Sequence, residues 1–207
     1  SVQLTQTMRY FFILYPFFAI FAAIGFHAII QRWHVVLKGI AIALILLWPM
    51  LFLSIYTKPH SRVSATDWIH KTIPNGSNIL VEHWDDALPL GGNTQEHTYV
   101  LQELPVFDQD TPEKWAKMDL LLASGDYYIL SSNRAFGSIP TAPERYPRMT
   151  RFYADLFAGK LGYTKIKEFT SYPSLSYLGI PLSFPDQWSE EAFTVYDHPR
   201  VVIFQKQ

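Results

Sequence analysis

Two long apolar runs near the start of the chain constrain its fold more than any other feature. Tyr10–Ile30 contains 21 residues and Gly39–Thr57 contains 19, and neither run carries a formal charge. A helix of about 20 residues is about 30 Å long, which matches the hydrocarbon core of a bilayer. The sequence therefore predicts a transmembrane hairpin in residues 1–57, with helices at about 9–30 and 36–57.

Two other interpretations of these runs are weaker. A signal peptide has a single apolar stretch of about 7–15 residues, so it does not match two long runs. Runs this long and this free of charge are costly outside lipid, which disfavours a helical pair buried in a soluble protein. Pro16, His27 and Pro49 lie inside the runs. Neighbouring helices best satisfy the imidazole of His27 and the backbone carbonyls that the prolines leave without an N–H donor. We therefore expect additional transmembrane helices around the hairpin.

Charge alone leaves the orientation of the hairpin open. Arg32 and Lys38, at the turn between the runs, favour a cytoplasmic turn and an extracytoplasmic remainder. Arg9, Lys58 and Arg62 flank the opposite ends and favour the reverse orientation.

The remainder of the chain, residues 58–207, contains all 18 acidic residues and 14 of the 17 basic residues. This acidic excess provides no basic face for neutralising phosphates, so we expect no nucleic-acid partner.

The chain contains no cysteine, which excludes disulfides, thiolate metal ligands and a cysteine nucleophile.

Residues 58–207 alternate between short apolar strands and amphipathic helices. This order is typical of an α/β domain with a mixed sheet, parallel βαβ units and an antiparallel edge. Ser61 or Ser64 can cap the first helix, and Pro112 stands at the first position of the second. The predicted elements are helices at Ser61–Ile73, Pro112–Ser124 and Arg145–Gly159, and strands at Asn78–Val81, Thr98–Leu104, Tyr127–Ser131, Phe193–Tyr196 and Val201–Phe204.

The densest polar cluster, Glu82–Asp86, directly follows a predicted buried strand. In open α/β sheets, ligands bind outside the carboxyl ends of the strands, which makes His83, Asp85 and Asp86 candidates for substrate binding. Their neighbour Glu82 completes an oxygen-rich set that suits a divalent cation such as Mg²⁺ or Ca²⁺, and His83 can act as a base. The alternative is that the two aspartates cap the following turn.

A second polar cluster, Ser131–Arg134, follows the next predicted strand. Asn133 and Arg134 lie in it, and further arginines, Arg145, Arg148 and Arg151, follow along the chain. Grouped arginines can hold a phosphate or a lipid diphosphate through forked hydrogen bonds. The alternative is a solvated helix face whose arginines pair with Glu144 and Asp155.

Several common catalytic signatures are absent from the sequence. It contains no G-x-x-x-x-G-K-[ST] phosphate loop, no G-x-G-x-x-G dinucleotide motif and no H-E-x-x-H zinc motif. It also lacks the G-x-S-x-G elbow of serine hydrolases.

Five stretches are informative together: Met8–Pro16, Ile79–Leu90, Tyr127–Ile139, Pro143–Thr150 and Phe193–Phe204. They resemble the C-terminal region of family 39, protein-mannosyltransferase-like, multi-pass membrane glycosyltransferases and of related uncharacterised bacterial and archaeal membrane proteins. The first departs from the family's Arg-Tyr-x-Leu-Pro pattern, because Phe11 and Phe12 follow Tyr10 and only Pro16 is retained.

The resemblance implies a domain on the extracytoplasmic side of the plasma membrane and transfer of a sugar from a polyprenyl- or dolichyl-phosphate carrier. It places the catalytic acid in an early extracytoplasmic loop of a longer chain, so we expect the catalytic residue outside these residues. Arg9 and Tyr10, at the membrane boundary, are then the candidates for contact with the lipid phosphate, and the alternative for Arg9 is an interfacial anchor. The rival expectation is a non-catalytic accessory subunit of a larger membrane complex.

Overall fold

The computed structural model describes residues 8–189 and 191–207, with side chains from Phe11 onward except at Glu190. The side chains of Arg9 and Tyr10, the predicted lipid-phosphate contacts, therefore lie outside the described residues. The chain divides into two compact units. Among the described residues, one contains 8–57 together with Tyr172–Phe184, and the other is an α/β domain formed by Lys58–Ser171 and Pro185–Gln207.

Residues 8–57, which we call the apolar helix pair, contain helices α1 (Tyr15–Ile30) and α2 (Val35–Leu53). A 3₁₀ turn precedes α1 and another, Ser54–Thr57, follows α2. The two helical stretches are long and apolar enough to cross a membrane. Their large apolar side chains are mostly exposed, for example Phe21 at 69% and Leu44 at 65%.

The α/β domain contains five helices and five strands among its described residues. In chain order they are α3 (Ser61–Thr72), β1 (Asn78–Glu82), β2 (Val100–Leu104), α4 (Pro112–Ser124), β3 (Tyr127–Leu130), α5 (Arg134–Ser138), α6 (Pro147–Phe157), β4 (Tyr163–Phe169), α7 (Glu191–Thr194) and β5 (Val201–Lys206).

The five strands form one mixed sheet in the order β2-β1-β3-β5-β4. Strands β1, β2 and β3 are parallel, and β2-α4-β3 is a βαβ unit. Strand β5 runs antiparallel to both β3 and β4. The predicted mixed sheet with an antiparallel edge is therefore confirmed, and of the predicted βαβ units the described strands form one.

Helices cover both faces of this sheet because its central strands are apolar on both sides. Leu80 and Tyr128 pack with α4 and α6 on one face, whereas Ile79 and Ile129 pack with α3 on the other. Gly125, between α4 and β3, lies so close to the first face that an added Cβ would be 2.5 Å from Leu80 Cγ. The central strands are thus enclosed, and polar side chains collect at their ends.

The predicted strand at Phe193–Tyr196 is wrong. This segment contains the end of the short helix α7 and a turn. The strand that pairs with β5 on its outer side is β4, which was not among the predicted strands. Strand β4 is an edge strand whose middle residues are exposed, and it carries Lys165, Lys167 and Glu168. Charges on an edge strand prevent pairing with other molecules, and they also remove the apolar signal of a strand.

The two predicted helix starts had different outcomes. Pro112 begins α4 as predicted, and the Thr111 hydroxyl caps it by accepting from Lys114 N at 3.2 Å. At α3 the prediction of a serine cap is wrong. His60 Nδ1 accepts from Arg62 N at 3.2 Å, while the Ser61 hydroxyl donates to the carbonyl of Pro199.

Candidate functional site

Trp84, two residues after β1, is the most unusual residue in the domain. Its φ is 69°, and among the described residues it is the only one other than glycine with a positive φ. A bulky residue in this backbone region is strained, and such strain persists where surrounding structure holds it and often marks a functional site. The indole is 67% exposed and stacks on Phe107 at 5.3 Å between ring centroids.

Arg62, in the first turn of α3, holds the segment that follows Trp84. Its guanidinium is buried and pairs with Asp85 at 2.7 Å and with Asp86. Its Nε donates to the carbonyl of Ser131 at 3.0 Å. The second oxygen of Asp85 accepts from the hydroxyl of Ser132. Asp85 is therefore tied to the ends of both β1 and β3.

Arg134 holds Trp84 itself. Its guanidinium donates to the carbonyl oxygen of Trp84 and, through Nε, to Glu191 at 3.0 Å. Its third contact is the Tyr196 hydroxyl at 3.4 Å. We call Arg62, Asp85, Asp86, Ser132, Arg134 and Glu191 the loop clamp. Its charges pair with one another, so its chemical role is to fix the Trp84 backbone.

An open groove of about 300 Å³ lies at the ends of β1 and β2. It is lined by His83, Glu103, Pro105, Asp108 and Lys117, and we call it the strand-end groove. The Trp84 ring adjoins it, 5.3 Å from the His83 ring. His83 Nδ1 contacts Glu103, and both side chains are about half exposed.

The strand-end groove combines one imidazole, two carboxylates and one ammonium group with an exposed indole face. The polar groups can donate to and accept from several hydroxyl groups at once, and an indole covers apolar C–H surface. A concave site in which a few polar groups converge is a common form of small-ligand site, and here an exposed indole lies beside it. This chemistry suits a neutral polyhydroxylated ligand.

Glu82, the last residue of β1, is buried directly before the loop that carries His83 and Trp84. Its Oε1 accepts from the hydroxyls of Tyr128 at 2.6 Å and Tyr153 at 2.7 Å. Its Oε2 has no hydrogen-bond partner among the described residues. Burial raises the pKa of Glu82 to about 7, and the two tyrosine hydrogen bonds oppose this rise. Burial also raises the pKa of both tyrosines well above their usual range.

The structure brings together three of the predicted site residues and separates the others. Asp85, Asp86 and Arg134 meet in the loop clamp. His83 faces the strand-end groove, and Asn133 is buried, accepting from Thr194 at 3.1 Å. The later arginines are elsewhere on the domain: Arg145 over the Tyr146 ring, Arg148 over Trp115 and Arg151 beside Asp155.

The predicted metal candidates do not converge on one point. Glu82 faces the two tyrosines, whereas Asp85 and Asp86 face Arg62. In the part of the chain that the structure describes, no group of three or more histidine and acidic side chains is arranged to hold a metal ion.

Two important residues were not among the sequence candidates. Arg62 carried one usable signal, because a cation in the first turn of a helix opposes the helix dipole and needs an acidic partner. Trp84 lies within the predicted polar cluster Glu82–Asp86, but a sequence does not reveal that a tryptophan has a positive φ.

No family model, curated protein or solved structure matches this chain. The resemblance to family 39 glycosyltransferases therefore rests on the sequence stretches themselves.

Proposed function

We propose that this chain is the C-terminal, membrane-anchored part of an integral membrane glycosyltransferase that uses a polyprenyl- or dolichyl-phosphate-linked sugar. In this proposal the apolar helix pair spans the plasma membrane among further helices of the same protein. The α/β domain lies on the extracytoplasmic side and shapes the binding of the acceptor. The exposed Trp84 beside the strand-end groove is the observation that carries the proposal.

The proposed reaction transfers one sugar from the lipid carrier to an acceptor hydroxyl. The hydroxyl oxygen forms a bond to the anomeric carbon, and the bond from that carbon to the phosphate oxygen breaks. The lipid phosphate leaves with the bonding electron pair, and a carboxylate outside this chain takes the hydroxyl proton. Cationic and hydrogen-bond-donating groups stabilise the leaving phosphate, and the candidates in this chain are the guanidinium of Arg9 and the hydroxyl of Tyr10.

The domain's part in this reaction is positioning. Asp85 is buried and paired with Arg62, so it is not available as a general base. The loop clamp instead fixes the backbone beneath Trp84, so the indole face is presented without conformational cost on binding. The imidazole and carboxylates of the strand-end groove then orient hydroxyl groups of the acceptor.

Replacement of Trp84 tests this function. Membrane vesicles carrying the protein from its complete reading frame receive a radiolabelled polyprenyl-phosphate mannose or glucose, and transfer of label into non-lipid product is measured. We expect Trp84→Ala to lower the rate at limiting acceptor about tenfold, which corresponds to roughly 1.4 kcal/mol of lost binding.

Trp188→Ala is the matched control, because Trp188 is also an exposed tryptophan of the domain, at 85%. It should transfer sugar at the wild-type rate. Absence of transfer with either donor, or equal rates for both variants, would contradict the proposed function.

The internal pairing of the loop clamp favours a second candidate function, a non-catalytic accessory subunit. A loop whose charged groups pair with one another can serve as a rigid docking surface without chemistry. The encoding reading frame discriminates the two functions. Eight or more upstream membrane helices with an acidic residue in the first outer loop support the enzyme, whereas a frame that starts near Ser1 supports the subunit.

A further inference from the structure

Part of the stretch between β4 and β5 belongs with the apolar helix pair rather than with the α/β domain. Tyr172–Phe184 forms one compact unit with residues 8–57. We call residues 172–184 the return loop. It folds back on itself, with Leu175 N donating to Leu182 O at 2.9 Å.

The return loop caps the carboxyl end of α2. The last four carbonyls of a helix have no partner within the helix. Ser174 N donates to Leu51 O at 3.2 Å and to the Ser54 hydroxyl at 2.7 Å. The Tyr177 hydroxyl donates to Met50 O at 3.3 Å. These contacts fix the loop to the end of an apolar helix.

The return loop is uncharged and rich in apolar residues. Between Glu168 and Asp186 no residue carries a formal charge. Large exposed apolar groups that cluster on one segment mark an interaction surface. The exposed side chains are Tyr177 at 39%, Leu178 at 55%, Ile180 at 46%, Leu182 at 44% and Phe184 at 38%.

We propose that the return loop inserts these side chains into the interfacial layer of the bilayer, beside the end of α2. This inference rests on the membrane-anchoring part of the proposed function. Its apolar surface continues the exposed apolar surface of α2, to which the loop is hydrogen-bonded. An irregular backbone cannot enter the hydrocarbon core facing lipid, but the hydrated interface accepts it and favours tyrosine.

The absence of charge adds a specific expectation. Peripheral segments that use lysine and arginine bind anionic lipids, and their binding depends on lipid composition and salt. The return loop has no such groups, so its depth should be the same in phosphatidylcholine vesicles with and without phosphatidylglycerol.

Site-specific fluorescence tests the insertion. The chain has no cysteine, so a single introduced cysteine can be labelled with the polarity-sensitive dye NBD without background. Leu178→Cys places the dye on the return loop, and Ile180→Cys repeats the test at a second position. Leu44→Cys, in the middle of α2, and Leu120→Cys, 73% exposed on α4, are the membrane and water controls.

Labelled full chains are reconstituted in vesicles containing lipids with a doxyl quencher near the headgroup or near the middle of the acyl chain. We expect the dye at 178 to lose more fluorescence with the shallow quencher, the dye at 44 to lose more with the deep quencher, and the dye at 120 to lose none.

Two results would overturn the inference in different ways. If the dye at 44 is quenched but those at 178 and 180 behave like that at 120, the loop is covered by protein or water while membrane anchoring stands. If the dye at 44 is not quenched, membrane anchoring fails and the loop inference fails with it. The sugar-transfer assay is a separate experiment, and its outcome does not change how the quenching results are interpreted.

Discussion

At the scale of single residues, the buried carboxyl group of Glu82 is the most consequential feature beneath the candidate site. Its pKa is raised from 4.5 to about 7, because burial disfavours its charged form. Between these pH values the folded protein retains a proton that the unfolded chain releases. The free energy of unfolding therefore falls as pH rises through this window, by about 3 kcal/mol at most, and the loss is complete above pH 7.

Replacing Glu82 by glutamine isolates this effect. Glu82→Gln keeps an oxygen that accepts from Tyr128 and Tyr153 but does not titrate. We expect the stability of the wild type relative to this variant to fall by about 3 kcal/mol between pH 5 and pH 8. Urea unfolding of the full chain in detergent, followed by near-ultraviolet circular dichroism, measures the difference. A difference that is constant with pH would show that Glu82 titrates normally.

The candidate site was partly predictable at this scale. Asp85 and Arg134 follow β1 and β3, and adjacent parallel strands end at the same edge of a sheet, so their meeting could be expected. Lys117 is different, because it lies on α4 and reaches the strand-end groove only through the packing of that helix. Arg145 lies in the turn before α6 and over the Tyr146 ring, because closeness to Arg134 in the sequence does not determine where a residue of a separate turn is placed.

At the scale of elements, Gly125 sets how closely the connection from α4 to β3 approaches β1. Its φ of −75° suits any residue, so glycine is required here by space rather than by conformation. Gly125→Ala would place a methyl group 2.5 Å from Leu80 Cγ in a packed core. We expect a loss of about 1–3 kcal/mol in the free energy of unfolding.

A double-mutant cycle with Leu80→Ala tests this spatial explanation. Leu80→Ala alone should destabilise the domain by about 2–5 kcal/mol because it leaves a cavity. In the Gly125→Ala background it should cost less, because the added methyl group occupies part of that cavity. Strictly additive effects of the two substitutions would contradict the packing that we describe.

Buried strands could be predicted from the sequence, whereas the exposed edge strand could not. Strand β1 was found because its three central residues are apolar, β3 because all of its residues are apolar or aromatic, and α4 because proline and an acidic residue mark its start. Strand β4 was missed because its exposed middle is charged, and its pairing partner β5 lies more than 30 residues later. Edge strands depend on tertiary pairing that local sequence does not encode.

At the scale of the whole molecule, the proposed membrane span predicts that the turn between α1 and α2 and the α/β domain lie on opposite sides of the membrane. Leu120→Cys, on α4, should react with a membrane-impermeant maleimide in intact cells. Gln31→Cys, in the turn after α1, should react only after the membrane is permeabilised. The chain's lack of cysteine makes each signal specific.

The opposite labelling pattern would place the domain in the cytoplasm and contradict the proposed extracytoplasmic acceptor site. Equal labelling of both positions in intact cells would contradict a membrane span altogether. Sequence alone did not decide between these arrangements, because Arg32 and Lys38 oppose Lys58 and Arg62 in the charge rule.

The contact between Ser54 and Ser174 has a consequence for biosynthesis. The two serines are 120 residues apart, so the ribosome has to add that many residues before the cap of α2 exists. At about 5–20 residues per second, this takes about 6–24 s. During that interval Ser54 N already donates to Leu51 O and Phe52 O, so only the second donor to Leu51 O, Ser174 N, is missing. The last turn of α2 therefore forms early, and the return loop covers it only after 120 further residues have been translated.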